Sequence, residues 1–241
     1  MSSSASPLGD RTIAARSDPT ALRPVLAIAA LATAIVASWM ALVWAPADAV
    51  QGEVQRVMYV HVPSAWTAYL AFFVVFLASV GWLWSKRRIF DGVAVASAEI
   101  GVLFTGLALV SGSIWAKPTW GVWWTWEPRL ITTAVMFVMY VGYLLLRSLS
   151  TDVEGRATRA AVIGVIAVVN IPIVHLSVTW MNALHQLPTV LRPDGPALES
   201  RMLATLIVSV LAFTIVYAWL LAWRVALETA RQERMLVARG A

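Results

Sequence analysis

The run VAVASAEIGVLFTGLALVSGSIW, residues 93–115, decides the fold class. Glu99 is its only ionisable side chain, and a helix needs about 20 residues of this kind to cross a roughly 30 Å hydrocarbon core. Five more apolar runs flank it, at 24–45 and 63–84 before it and at 129–147, 158–178 and 202–222 after it. A helix in lipid satisfies its own backbone hydrogen bonds, so the expected fold is an all-α integral membrane domain of six transmembrane helices. The whole chain agrees: of 241 residues 60% are hydrophobic and 13% charged, whereas soluble domains carry about a quarter charged residues. The expected division is a tail at 1–23, a membrane domain at 24–222 and a second tail at 223–241, with no room for a separate soluble domain. Ala47-Asp48-Ala49 looks like a signal-peptidase site. The apolar run before it exceeds the roughly 7–15 residues of a signal core, so the first helix is expected to be retained.

Directly after residues 93–115 the chain becomes IWAKPTWGVWWTWE, residues 114–127. Trp115, Trp120, Trp123, Trp124 and Trp126 are five of the thirteen tryptophans. An interfacial belt places indoles singly at helix ends, so this density exceeds what anchoring requires. Its flat apolar area suggests a platform for a large planar ligand.

Six spans put both termini on one side, and Lys and Arg select it. Arg11, Arg16 and Arg23, then Lys86, Arg87 and Arg88, then Arg147, Arg156 and Arg159, then Arg224, Arg231, Arg234 and Arg239 share the terminal side, thirteen of the 18 basic residues. Arg56, Lys117, Arg129, Arg192 and Arg201 lie opposite. Positive charge stays in the cytoplasm, so both termini are predicted inside and the Trp-rich loop between helices 3 and 4 outside. The net charge of +5 is scattered, which suits a lipid bilayer surface rather than nucleic acid.

There is no cysteine, which excludes disulfides and thiolate ligands. Metal chemistry then falls to imidazole, carboxylate or thioether. His61, in MYVHVPSAW, precedes Pro63, which suits the first turn of the second span. A helix N-terminus disfavours imidazolium and leaves a neutral ring able to bind metal, although an interfacial cap fits equally. His185, in WMNALHQLP with Met181, Asn182 and Trp180 nearby, is either an idle loop residue or a partner of His61 on the outer face. His175 follows Pro172, which should kink the fifth span; its ring can bond a freed carbonyl or act as a ligand. Glu99 either marks a transport path or pairs with Lys86, Arg87 or Arg88. Met58, Met136 and Met139 read as packing. Arg56, Lys117 and Arg129 can contact lipid headgroups or bind acidic groups of an amphipathic ligand. Glu127 and Pro128 begin the fourth span, with the acid favourably near the positive helix end.

WGVWWTWEPRL resembles the "WWD" signature, roughly W-G-x-x-W-x-W-D, of the membrane haem-handling proteins. MYVHVPSAW, LVSGSIWAKPTWG and VNIPIVHLSVTWMNALHQ are similar, in order and spacing over about residues 50–190, to the haem exporter protein C (CcmC) branch of that family, which serves cytochrome c maturation. The resemblance implies haem b carried as cargo at the periplasmic face of the bacterial inner membrane. It maps the axial iron ligands onto His61 and His185, with Trp115, Trp120, Trp123, Trp124 and Trp126 as the platform and Arg56, Lys117 and Arg129 as propionate candidates. It also implies a membrane-tethered haem chaperone (CcmE) that becomes covalently attached to haem, an ABC-type transporter (CcmA and CcmB) and a small subunit (CcmD). Glu127 departs from the family pattern, which has Asp there, and this puts the reach of the motif acid in doubt.

The implied function is haem binding and delivery. Catalysis is at most the positioning of haem for attachment to the chaperone histidine, and no catalytic triad or other cofactor motif is present. A haem-independent permease, or a structural subunit of an ABC exporter, is the competing class. No internal repeat supports it, and the polar groups gather outside rather than at mid-depth. Larger haem lyase-type synthetases bearing the same signature fit less well, because six spans leave no large periplasmic domain.

Overall fold

A computed structural model describes residues 19–149, 152–180, 185, 189–190 and 192–240. Arg11, Arg16, Met181 and Asn182 lie outside the described residues. The elements are α1 (Pro19–Trp39), a π turn (Met40–Trp44), a 3-10 turn (Glu53–Val57), α2 (Met58–Ser85), α3 (Arg88–Trp120), α4 (Pro128–Ser148), α5 (Val153–Ala167), α6 (Asn170–Trp180) and α7 (Ser200–Gly240). Six helical stretches are long and apolar enough to cross a membrane, α5 and α6 together forming the fifth. The all-α expectation is met.

The helices pack around α2 and α3, which lie against each other along their length. Small residues allow this: Ala68, Ala71 and Ala98 are buried between them, so backbones approach closely and dispersion contacts accumulate where no hydrophobic force separates protein from lipid. Phe72 of α2 stacks on Tyr140 of α4, and Met136, Tyr143 and Val174 complete that core. Ser97 Oγ of α3 donates to the Ala71 carbonyl at 2.7 Å and accepts from the Tyr217 hydroxyl of α7 at 2.8 Å, tying three helices together. α1 is peripheral and leans on α7.

Helix boundaries differ from the sequence expectation in three places. The turn Glu53–Val57 feeds straight into α2, so Pro63 is inside the helix rather than at its start, and His61 is a helical residue. α3 runs on through Pro118 to Trp120, so Trp115 and Trp120 belong to a helix and the connecting loop is only 121–127. Gly121 ends it in the left-handed region (φ 78°), its N–H donating to the Lys117 carbonyl at 3.0 Å; such a C′ position favours glycine. The kink expected from Pro172 is a full break. Val168 and Val169 form a turn, and Asn170 Nδ2 donates to the Thr132 carbonyl at 3.0 Å across the gap.

Glu99 pairs with neither Lys86, Arg87 nor Arg88. It accepts from Arg224 Nε of α7 at 2.7 Å, because α3 and α7 are packed neighbours, whereas Lys86 and Arg87 precede α3 and Arg88 is its first residue. Near the same end, Asp91 of α3 and Arg147 of α4 form a two-pronged ion pair at 2.6 and 2.8 Å, with both residues buried.

Candidate functional site

The opposite end of the bundle collects the start of α2, the end of α3, the 121–127 loop, the start of α4, the end of α6 and His185. His61 points from α2 into one face of α3. Its Nδ1 lies 3.0 Å from the Ala108 carbonyl and 3.2 Å from Ser111 Oγ. A carbonyl can only accept, so Nδ1 carries the proton and Nε2 keeps its lone pair. Trp115 meets the same ring edge to face, with centroids 5.8 Å apart. Gly112 passes so near that a Cβ built on it would lie 2.9 Å from His61 Cε1. Residues 108, 111, 112 and 115 follow the i, i+3, i+4, i+7 rhythm of a single helix face.

His185 is held by the continuation of that helix. Trp120, the last residue of α3, meets the ring edge to face at 5.3 Å between centroids. Glu127, only 6% exposed, accepts from His185 Nδ1 through Oε1, and its Oε2 accepts from the His185 backbone N–H at 3.3 Å. Burial pushes the imidazole below its ordinary pKa, against the pull of the Glu127 carboxylate. The carboxylate can only accept, so the contact places a proton on Nδ1. Nε2 has no hydrogen-bond partner among the described residues, in the manner of a metal-binding histidine oriented by a carboxylate on its other nitrogen.

Arg129, on the first turn of α4, lies electrostatically close to both imidazoles. One terminal nitrogen donates to the His175 carbonyl at 3.2 Å, while Nε is buried with no hydrogen-bond partner among the described residues. Trp124 Nε1 and Thr125 Oγ1 are buried and unpartnered in the same way. Buried donors are seldom left unpaired, since each costs about 1–3 kcal/mol, so their grouping here fits a ligand bearing acceptor groups. His175 itself is exposed, and among the described residues its contact with the site is through its carbonyl.

The other two basic candidates are differently employed. Arg56 donates to Glu53 and, through Nη1, to the carbonyls of Ala41 and Ala45, the latter at 3.0 Å. It caps groups that the π turn leaves without partners. Lys117 Nζ donates to the Gly121 carbonyl at 2.9 Å and closes the end of α3. The five indoles are divided as well. Trp115 joins a cluster with Ala45, Met58, Tyr59 and Leu206, and its Nε1 donates to Gln51 Oε1 at 2.8 Å. Trp124 and Trp126 meet at 80°. Trp123 and Trp126 are the outward ones, 58% and 82% exposed.

Sequence reasoning missed Ala108, Ser111 and Gly112 as supports of His61 and the Glu127–His185 contact. The helical spacing of the first three around Trp115 was the available signal. Nothing local announces a contact between residues 58 positions apart.

A protein-family model described as "Heme exporter protein C" matches residues 11–239. The chain is 36% identical to heme exporter protein C of Haemophilus influenzae over 213 residues, covering 88% of this chain and 86% of that protein. It is 39% identical to the Escherichia coli K12 protein of the same name over 179 residues, 73% of each. A putative cytochrome c biosynthesis ccmC-like mitochondrial protein of Marchantia polymorpha is 39% identical over 162 residues, 67% of this chain and 68% of that one.

Proposed function

Because the chain belongs to the haem exporter protein C family, we propose that it grips haem between His61 and His185 and presents it to a periplasmic haem chaperone. Membership carries a role in haem export and cytochrome c maturation, exercised by a multi-pass membrane protein alongside other components of that system. The finer reading rests above all on one observation. Two imidazoles, supported by the same helix end and the loop that follows it, have Nδ1 engaged, and among the described residues nothing bonds Nε2 of either.

Neutral imidazole nitrogens are the ordinary axial ligands of haem iron. Arg129 Nε, Trp124 Nε1 and Thr125 Oγ1 supply unpaired donors for the propionates. The exposed faces of Trp123 and Trp126 offer the apolar wall on which a macrocycle can lie. The cargo is haem b, and the acceptor is the CcmE chaperone. The ABC transporter CcmA–CcmB and the small subunit CcmD complete the assembly in the bacterial inner membrane. The site faces the periplasm, both termini face the cytoplasm, and the tails 1–23 and 223–241 flank the membrane domain 24–222. The chain supplies proximity and orientation: Glu127 fixes one imidazole, the Ala108 carbonyl fixes the other, and Arg129 sets the rotation of the macrocycle.

Capture of tagged haem chaperone tests this reading. Chaperone recovered with the parent protein should carry haem, and with the double variant Trp123→Ala/Trp126→Ala it should carry several-fold less. Equal haem on the chaperone in both preparations would contradict a delivering role for the loop.

A further inference from the structure

The two candidate ligands are not supported alike. His61 Nδ1 donates to an uncharged carbonyl, with a serine hydroxyl beside it. His185 Nδ1 donates to the carboxylate of Glu127, which is buried and also accepts from the His185 backbone N–H. No Lys or Arg side chain forms an ion pair with Glu127 among the described residues, and its hydrogen-bonding capacity is directed at this one histidine. A carboxylate acceptor draws the Nδ1 proton toward itself and raises electron density on Nε2, more than a carbonyl does.

Resting on the haem-ligation reading above, we propose that Glu127 is a positioning residue that makes His185 the stronger axial ligand and His61 the weaker. The bound iron then favours the ferric state, because a more anionic ligand set stabilises the higher charge. The bond on the His61 side is the one more easily exchanged. Glu127 reaches His185 from the end of the 121–127 loop.

Two measurements on the full-length, haem-loaded protein test this. The first is spectroelectrochemical titration of the parent, Glu127→Gln and Glu127→Asp. Glu127→Gln keeps an acceptor oxygen and removes the charge. It should raise the reduction potential by about 59 mV or more, a tenfold shift of the one-electron equilibrium toward ferrous iron. Glu127→Asp should restore most of the parent value. The second compares the ferrous iron–imidazole stretching frequency in His61→Ala, where His185 alone ligates, with that in His185→Ala. The frequency should be higher in His61→Ala. An unaltered potential in Glu127→Gln with the parent absorption spectrum retained overturns the proposal, as do equal stretching frequencies in the two alanine variants. A parent protein that binds no haem at all defeats the underlying ligation reading instead, which separates the two failures.

Discussion

Gly112 shows how little room the site leaves around a single ring. Any side chain there would press on His61 Cε1, and the ring has nowhere to retreat without giving up the Ala108 carbonyl. Gly112→Ala should therefore lower haem affinity about ten- to hundred-fold, the usual cost of disturbing a contact that orients a metal ligand, while the helical content stays at the parent level. Haem titration followed by absorbance, with circular dichroism as the folding control, checks it. Parent-like affinity in Gly112→Ala would mean that the ring is not held where it must be. At this scale the sequence exposed residue types but not their partners. His61, His185, Glu127 and Arg129 all stand out as polar groups in apolar or Trp-rich surroundings. That Glu127 serves His185, or that Arg56 is occupied by the carbonyls of Ala41 and Ala45, depends on chain segments meeting in space, which no local pattern encodes.

At the scale of elements, α3 links two kinds of polar burial. One end carries the His61 pocket and Trp120; the other carries Asp91, locked to Arg147 of α4. Removing one partner of a buried pair strands the other charge, at a cost of about 3–5 kcal/mol. Asp91→Ala or Arg147→Ala should thus lower thermal stability strongly, whereas removing both together should cost less than the sum of the two. Differential scanning fluorimetry in detergent measures this, and additive losses would show that the pair is not coupled. Element existence was easily read from the apolar runs, since length and hydropathy suffice for a membrane helix. Element ends were harder. Pro63 and Pro118 look like boundaries, yet both fall inside helices, because packing of α2 against α3 outweighs one lost backbone bond at each. Pro172 does accompany a break, lying three residues beyond the turn at Val168 and Val169.

At the scale of the molecule, the distribution of Lys and Arg argues that the Trp loop and both histidines face away from the cytoplasm. The absence of cysteine gives a clean background for testing this. Val50, 94% exposed beside the candidate site, and Ser85, exposed at the opposite end, mark the two faces. In intact spheroplasts an impermeant maleimide should label Val50→Cys and should reach Ser85→Cys only after permeabilisation. The reverse pattern would invert the topology and place the site in the cytoplasm. The six-span architecture was legible from composition because bilayer thickness sets a length that the apolar runs match. The assembly of the site from α2, α3, the 121–127 loop, α4 and His185 was only partly so. The Trp-rich segment suggested one flat shelf, while the fold divides it between helix packing, edges against the two imidazoles and two outward-facing rings.

The central claim is that one iron porphyrin is held by imidazoles from two remote parts of the chain, and optical spectroscopy of the purified protein tests it most directly. The parent should show the low-spin spectrum of a six-coordinate, bis-imidazole haem, and His61→Ala and His185→Ala should each lose it. Retention of the parent spectrum in both single variants would contradict the account.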